Sequence, residues 1–142
     1  MKGERFSEIK IRIVLTGGGT GGHIYPLISV YRALKTLAEE KLYTLEASYL
    51  GPNGFAEKAF KDEGIKMIKI KAGKWRRYFS LLNFFDIFNF LIGFFQSLWH
   101  LWKIMPDLIF SKGGYGSLPV IFVARLYRIP LFIHESDSIP GL

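Results

Sequence analysis

A chain of 142 residues, 49% hydrophobic and 22% charged, carries enough apolar material for one packed domain and too much for a disordered segment. The lack of cysteine excludes disulfide scaffolds, thiolate zinc sites and cysteine nucleophiles, and three histidines leave little material for a metal centre. A net charge of +7 points to an acidic partner: nucleic acid, an anionic membrane surface or a phosphorylated substrate.

Met1–Lys10 is mixed charged and polar with no apolar run, so no secretory signal is expected. Ile11–Leu15 is a short β-branched apolar run closed by Thr16 and glycines, the pattern of a buried strand. From Ile24 to Glu40, apolar residues at Leu27, Val30, Tyr31, Leu34 and Leu37 recur at helical spacing. Tyr43–Leu50 reads as a second strand, ended by Gly51-Pro52-Asn53-Gly54. Phe55–Glu63 predicts a short helix stopped at Gly64, and Ile65–Lys71 alternates as a strand. Phe79–Lys103 is a long helix by period, halted by Pro106. Asp107–Ser111 is a strand, Ser117–Tyr127 a helix and Pro130–His134 a last short strand. Strands alternating with helices predict an α/β fold: a doubly wound, parallel, Rossmann-like sheet with helices on both faces. The chain stops at Gly141-Leu142, in a loop after a strand, where ligands of such sheets bind, so it is expected to be one incomplete domain, 1–142, of a larger enzyme.

Two glycine-rich loops stand out. Gly17-Gly18-Gly19-Thr20-Gly21-Gly22-His23 lies between a strand and a helix, where close backbone N–H groups and the positive helix end suit a phosphate or diphosphate. No Gly-Lys-Ser/Thr follows, which excludes a Walker loop, and the standard dinucleotide spacing is absent. The bland alternative is an ordinary turn. His23 is either a simple helix-start residue or a general base, since histidine exchanges protons near neutrality. Ser111-Lys112-Gly113-Gly114-Tyr115-Gly116-Ser117-Leu118-Pro119 repeats the strand, glycine turn and helix start, with Ser117 able to cap the helix and Pro119 tolerated in its first turn. Two such loops on one sheet edge favour a ligand with two or more phosphates. The final polar loop, His134-Glu135-Ser136-Asp137, also sits at a strand's carboxyl end.

The middle of the chain is basic, then aromatic. Lys66, Lys69, Lys71, Lys74, Arg76 and Arg77 precede a stretch whose polar residues (Asn83, Asp86, Asn89, Gln96, Ser97, His100 and Lys103) fall on one helical stripe. The polar stripe argues against a membrane span and for an amphipathic helix at a membrane interface. Lys74, Trp75, Arg76, Arg77, Phe84, Phe85, Phe88, Trp99 and Trp102 are the expected membrane contacts. The other reading buries this helix between the sheet and a second domain. Nucleic-acid binding is disfavoured, because the basic residues cluster beside an apolar helix instead of lining a groove.

Taken together, GGGTGGHIYP (Gly17–Pro26), GKWRRYF (Gly73–Phe79), GGYGSLP (Gly113–Pro119) and HESDSIPG (His134–Gly141) resemble, in order and spacing, a glycosyltransferase family. It is the family 28 transferases with the GT-B fold, which convert lipid I to lipid II in peptidoglycan synthesis. The resemblance implies that this chain is the N-terminal, acceptor-binding half, docked peripherally on the cytoplasmic face of the bacterial membrane against its anionic inner leaflet. A C-terminal donor-binding domain would lie outside the chain. It implies UDP-N-acetylglucosamine as donor, lipid I as acceptor, no cofactor and no metal. By the same resemblance Gly19, Thr20, Gly21 and Gly22 hold the donor nucleotide or acceptor diphosphate, and His23 is the base for the acceptor 4-hydroxyl. Gly113, Gly114, Tyr115 and Ser117 line the acceptor cleft, while Glu135 and Asp137 meet the donor. Many members read His-Glu-Gln-Asn where this chain has His134-Glu135-Ser136-Asp137, and a carboxylate accepts but does not donate as an amide does. The isolated chain is expected not to turn over. The competing expectation is a non-catalytic membrane-docking subunit of a split, two-chain glycosyltransferase.

Overall fold

The computed structural model describes residues 9–18, 21–52, 57–73 and 82–134. Strand β1 (Lys10–Thr16) is buried from Ile13 onward on both faces, as its unbroken apolar run requires of a central parallel strand. It is flanked by β2 (Thr44–Gly51) and β4 (Leu108–Ser111), with β3 (Lys66–Lys69) and β5 (Leu131–Ile133) outermost. All neighbours pair in parallel, in the order β3-β2-β1-β4-β5.

The helices divide between the two faces, so the expected doubly wound sheet is present. Helices α1 (Gly21–Glu40) and α2 (Glu57–Asp62) cover one face, where Ile24, Leu27 and Tyr31 meet Ile13, Leu15, Tyr49 and Phe60. Helices α3 (Leu82–Ile104) and α4 (Leu118–Leu126) cover the other, where Leu101, Val120 and Val123 meet Val14, Leu50 and Ile109.

Three elements differ from expectation. Helix α1 starts at Gly21, ahead of the periodic residues, because burial of Ile24 and Leu27 outweighs the ~1 kcal/mol that each glycine costs a helix. Strand β3 is shorter, pairing only from Lys66 to Lys69. The stretch expected to be one helix from Ser117 opens instead as a 3₁₀ turn, Tyr115–Ser117, before α4.

The middle of helix α3 is turned with its polar stripe inward. Gln96 Oε1 accepts the Lys71 backbone N–H at 2.8 Å, and buried Ser97 donates from Oγ to the Gly93 carbonyl at 2.7 Å. Gly93 allows this close approach, since a Cβ there would overlap the Lys71 carbonyl. The apolar face therefore looks outward. Phe84, Phe88, Leu91, Phe95, Trp99 and Trp102, spaced by three and four residues, are all exposed. Phe122 of α4 joins this surface by packing edge-on against Phe90. Among the described residues, no helix is long and apolar enough to cross a membrane.

Candidate functional site

The connections after β1 and β4 leave in opposite directions, because the chain winds to β2 and β3 on one side and to β5 on the other. A crevice opens between such strands at their carboxyl ends. Hydrogen bonds tie its two walls together. Lys112 N–H donates to the Thr16 carbonyl at 2.9 Å, and Gly18 N–H donates to the Gly113 carbonyl at 3.0 Å. Gly113 and Gly114 take φ of 81° and 84°, a left-handed pair that only glycine adopts cheaply.

His23 lies in the first turn of α1, and its ring is wedged between the two glycine loops. A Cβ on Gly18 would come within 3.1 Å of Nδ1, and one on Gly114 within 3.2 Å of Nε2. A side chain at either position would press on the imidazole, and at Gly114 the positive φ adds backbone strain. Gly22 faces open space, with nothing within 4 Å of where its Cβ would stand. At this helix start, N–H groups without intrahelical partners and the positive end of the helix dipole meet the crevice, a setting suited to an anion. Gly116 brings in the loop after β2, because a Cβ there would stand 2.7 Å from both the Gly17 carbonyl and Pro52.

Ser117 corrects one expectation. Its side chain makes no capping bond to α4, and Oγ donates instead to the Gly114 carbonyl at 2.8 Å. The 3₁₀ turn brings that carbonyl within reach, so Ser117 braces the glycine loop from beneath. Pro119 stands in the first turn of α4, as expected.

Two residues that sequence reasoning passed over belong to the site. Tyr49, fully buried, donates from its hydroxyl to the Gly17 carbonyl at 3.2 Å and stacks on Phe60 with ring centroids 4.5 Å apart. Burial, with a smaller contribution from nearby Tyr115, pushes its phenol well above the ordinary tyrosine range. Nothing in the alternation of β2 distinguishes this tyrosine from a plain core residue. Lys112 is only 4% exposed although it is charged, and a lysine between a strand and a glycine pair was the available signal.

The crevice thus brings together His23, Gly22, Gly113, Gly114 and Ser117, with Tyr115 beside Tyr49. Gly21 opens α1. Gly19, Thr20, Glu135 and Asp137 lie outside the described residues, as do Lys74, Trp75, Arg76 and Arg77 of the expected membrane contacts. The other membrane candidates, Phe84, Phe85, Phe88, Trp99 and Trp102, share the outward side of α3. Among the described residues, no group of three or more His, Asp or Glu is placed to hold a metal ion.

Comparison with known proteins decides the family. Residues 13–142 match the glycosyltransferase family 28 N-terminal domain. The chain belongs to that family. A UDP-N-acetylglucosamine–N-acetylmuramyl-(pentapeptide) pyrophosphoryl-undecaprenol N-acetylglucosamine transferase of Treponema pallidum is 45% identical over 130 residues, covering 92% of this chain and 33% of the relative. The transferase of that name from Clostridium botulinum is 43% identical over 132 residues, 92% of this chain and 36% of the relative. The crystal structure of Acinetobacter baumannii MurG superposes with a TM-score of 0.73 at 25% identity, covering 93% of this chain and 37% of that one. This family 28 chain therefore spans about a third of the length of the relatives it matches.

Proposed function

We propose that this chain is the acceptor-binding half of an inverting GT-B glycosyltransferase that moves N-acetylglucosamine from UDP-N-acetylglucosamine to lipid I, forming lipid II. The observation that carries the reading is the His23 ring held between two glycine loops at the switch point of the sheet. Family membership and the names of the relatives support it.

In this mechanism the acceptor's 4-hydroxyl attacks the anomeric carbon of the donor sugar. A C–O bond forms on the face opposite the bond that breaks, and uridine diphosphate leaves with that electron pair. His23 takes the hydroxyl proton as the bond forms, which prevents charge from building on the attacking oxygen. Preorganised N–H groups at the start of α1 and in the second glycine loop stabilise diphosphate charge without reorganising. Gly19, Thr20, Glu135 and Asp137 would complete the ligand contacts. No cofactor enters, and the donor is a substrate supplied largely to a second, C-terminal domain.

The same reading makes the enzyme peripheral. The outward apolar face of α3, with Trp99 and Trp102, rests on the cytoplasmic leaflet, and Lys74, Arg76 and Arg77 meet anionic lipid. The decisive experiment measures label transfer from UDP-N-acetylglucosamine to lipid I by this chain joined to a family 28 C-terminal domain. His23→Ala should lower kcat by about 10²–10⁴-fold. Retention of more than a third of the rate would overturn the assignment of the base.

A further inference from the structure

A second charged feature lies at the opposite, amino end of the sheet, away from His23. On the α3 side, the pleat that buries Val14, Leu50 and Ile68 runs back to Lys10, Arg12, Glu46 and Lys66. Helix α3 ends over these residues, and Lys103 and Ile104 of its last turn complete a groove of about 550 Å³. Four cations therefore face one carboxylate.

Two of the four are already engaged. Lys10 pairs with Glu46 at 2.6 Å, and Arg12 donates from Nη1 to the Ile104 carbonyl at 3.1 Å, capping α3. Lys66 and Lys103 make no ion pair among the described residues. Both side chains are exposed and stand close enough to His100 to hold its imidazole below the ordinary histidine range, after the larger effect of its own burial. Like charges gathered in this way favour an anion between them.

The position around α3 identifies the anion. His100 and Lys103 each lie one residue, ~100° of turn, beyond Trp99 and Trp102. Lys103 thus borders the apolar stripe at its tryptophan end, with Lys66 across the groove from it, and tryptophan prefers the headgroup level of a bilayer. A substrate diphosphate is a poor occupant, because the carboxyl ends of the strands are at the far side of the sheet. We infer that the groove seats the phosphate of an anionic phospholipid headgroup, held by Lys66 and Lys103 while the adjoining face of α3 lies in the membrane interface. This rests on the membrane-docking part of the proposed function and is independent of the chemistry assigned to His23.

The test uses the 142-residue chain and vesicles of phosphatidylcholine with or without phosphatidylglycerol. Lys66→Ala/Lys103→Ala is compared with Lys35→Ala/Lys58→Ala, which removes the same charge from exposed positions of α1 and α2 on the other face. At ~1 kcal/mol per cation beside an anionic surface, the groove variant should partition about 30-fold less onto phosphatidylglycerol vesicles. The control should change by less than about threefold, because a Debye length of ~8–10 Å screens distant charge. The His100 ring, followed by NMR, should titrate at higher pH with phosphatidylglycerol present and be unmoved by inorganic phosphate at matched concentration.

Equal losses in both variants would reduce the effect to net charge and overturn the inference, as would no loss in either. An equal His100 response to inorganic phosphate would also overturn it, in favour of a soluble-phosphate site. If the wild-type chain binds no anionic vesicle at all, membrane docking fails together with the groove. If it binds and the groove variant is indistinguishable from it, only the groove fails.

Discussion

Tyr49→Phe isolates the hydroxyl that pins the first glycine loop. The substitution keeps the ring, so the stack on Phe60 at 4.5 Å and the filled core volume persist. What disappears is one buried hydrogen bond to the Gly17 carbonyl at 3.2 Å. A neutral bond of that length contributes ~0.5–1.5 kcal/mol, and leaving the buried carbonyl unpaired raises the cost to ~1–3 kcal/mol. For a domain of this size a loss of ~1.5 kcal/mol lowers Tm by about 3–6 °C. Circular dichroism melts read this directly, and the Gly17 and Gly18 amide signals should shift with it. The pH dependence gives a second readout. Because the folded-state phenol is raised above its unfolded value, its stabilising contribution is complete below pH ~10. It declines as pH rises above that, since the unfolded chain ionises and the folded one resists. Wild type should therefore lose stability above pH ~10 more steeply than Tyr49→Phe. An unchanged Tm together with parallel alkaline profiles would refute the claim that this hydroxyl braces the loop.

Gly114→Ala adds a side chain at a φ of 84° and pushes a methyl to 3.2 Å from both Gly18 Cα and His23 Nε2. A backbone at φ 84° and ψ 164° is open essentially to glycine alone and costs alanine ~1–3 kcal/mol, and displacement of His23 should cut transfer activity far more than it lowers Tm, as paired melting and rate measurements would reveal. Gly93→Ala should be among the most destabilising single changes, at ~3 kcal/mol or more, since its Cβ overlaps the Lys71 carbonyl; a denaturant midpoint equal to wild type contradicts the close packing of α3. Phe88→Glu/Phe95→Glu changes two exposed residues, so the melt should stay within a degree or two while vesicle binding falls by more than tenfold. Retained binding would show that the outward face of α3 does not meet lipid.

The strand and helix order was legible because each buried face leaves its own period in the sequence. Ile13, Val14 and Leu15 in a short β-branched run closed by glycines read as a strand buried on both faces, and Leu27, Tyr31 and Leu34 as one side of a helix. The glycine loops were legible by their place between strand and helix. What the residues could not reveal depends on distant partners. Tyr49 is 32 residues from the carbonyl it holds, and nothing local marks it. Ser117 looks like a helix cap until the 3₁₀ turn brings the Gly114 carbonyl closer than the amides of α4. In α3 the period predicted the polar stripe, and the favoured reading already turned the aromatic side outward; what it could not reveal is which partners hold the stripe in place. Gln96 turns inward to accept the Lys71 backbone N–H, and Ser97 is buried beside it by bonding back to the Gly93 carbonyl of its own helix, which leaves the aromatic side bare.

The central claim is that the crevice between the β1 and β4 loops receives a diphosphate-linked sugar, and a titration of the ¹⁵N-labelled chain with a short-chain, water-soluble lipid I analogue tests it most directly. Amide shifts should concentrate at Gly17, Gly18, Gly22, His23, Gly113 and Gly114. Saturable shifts confined to other surfaces, with these amides unmoved, would contradict it.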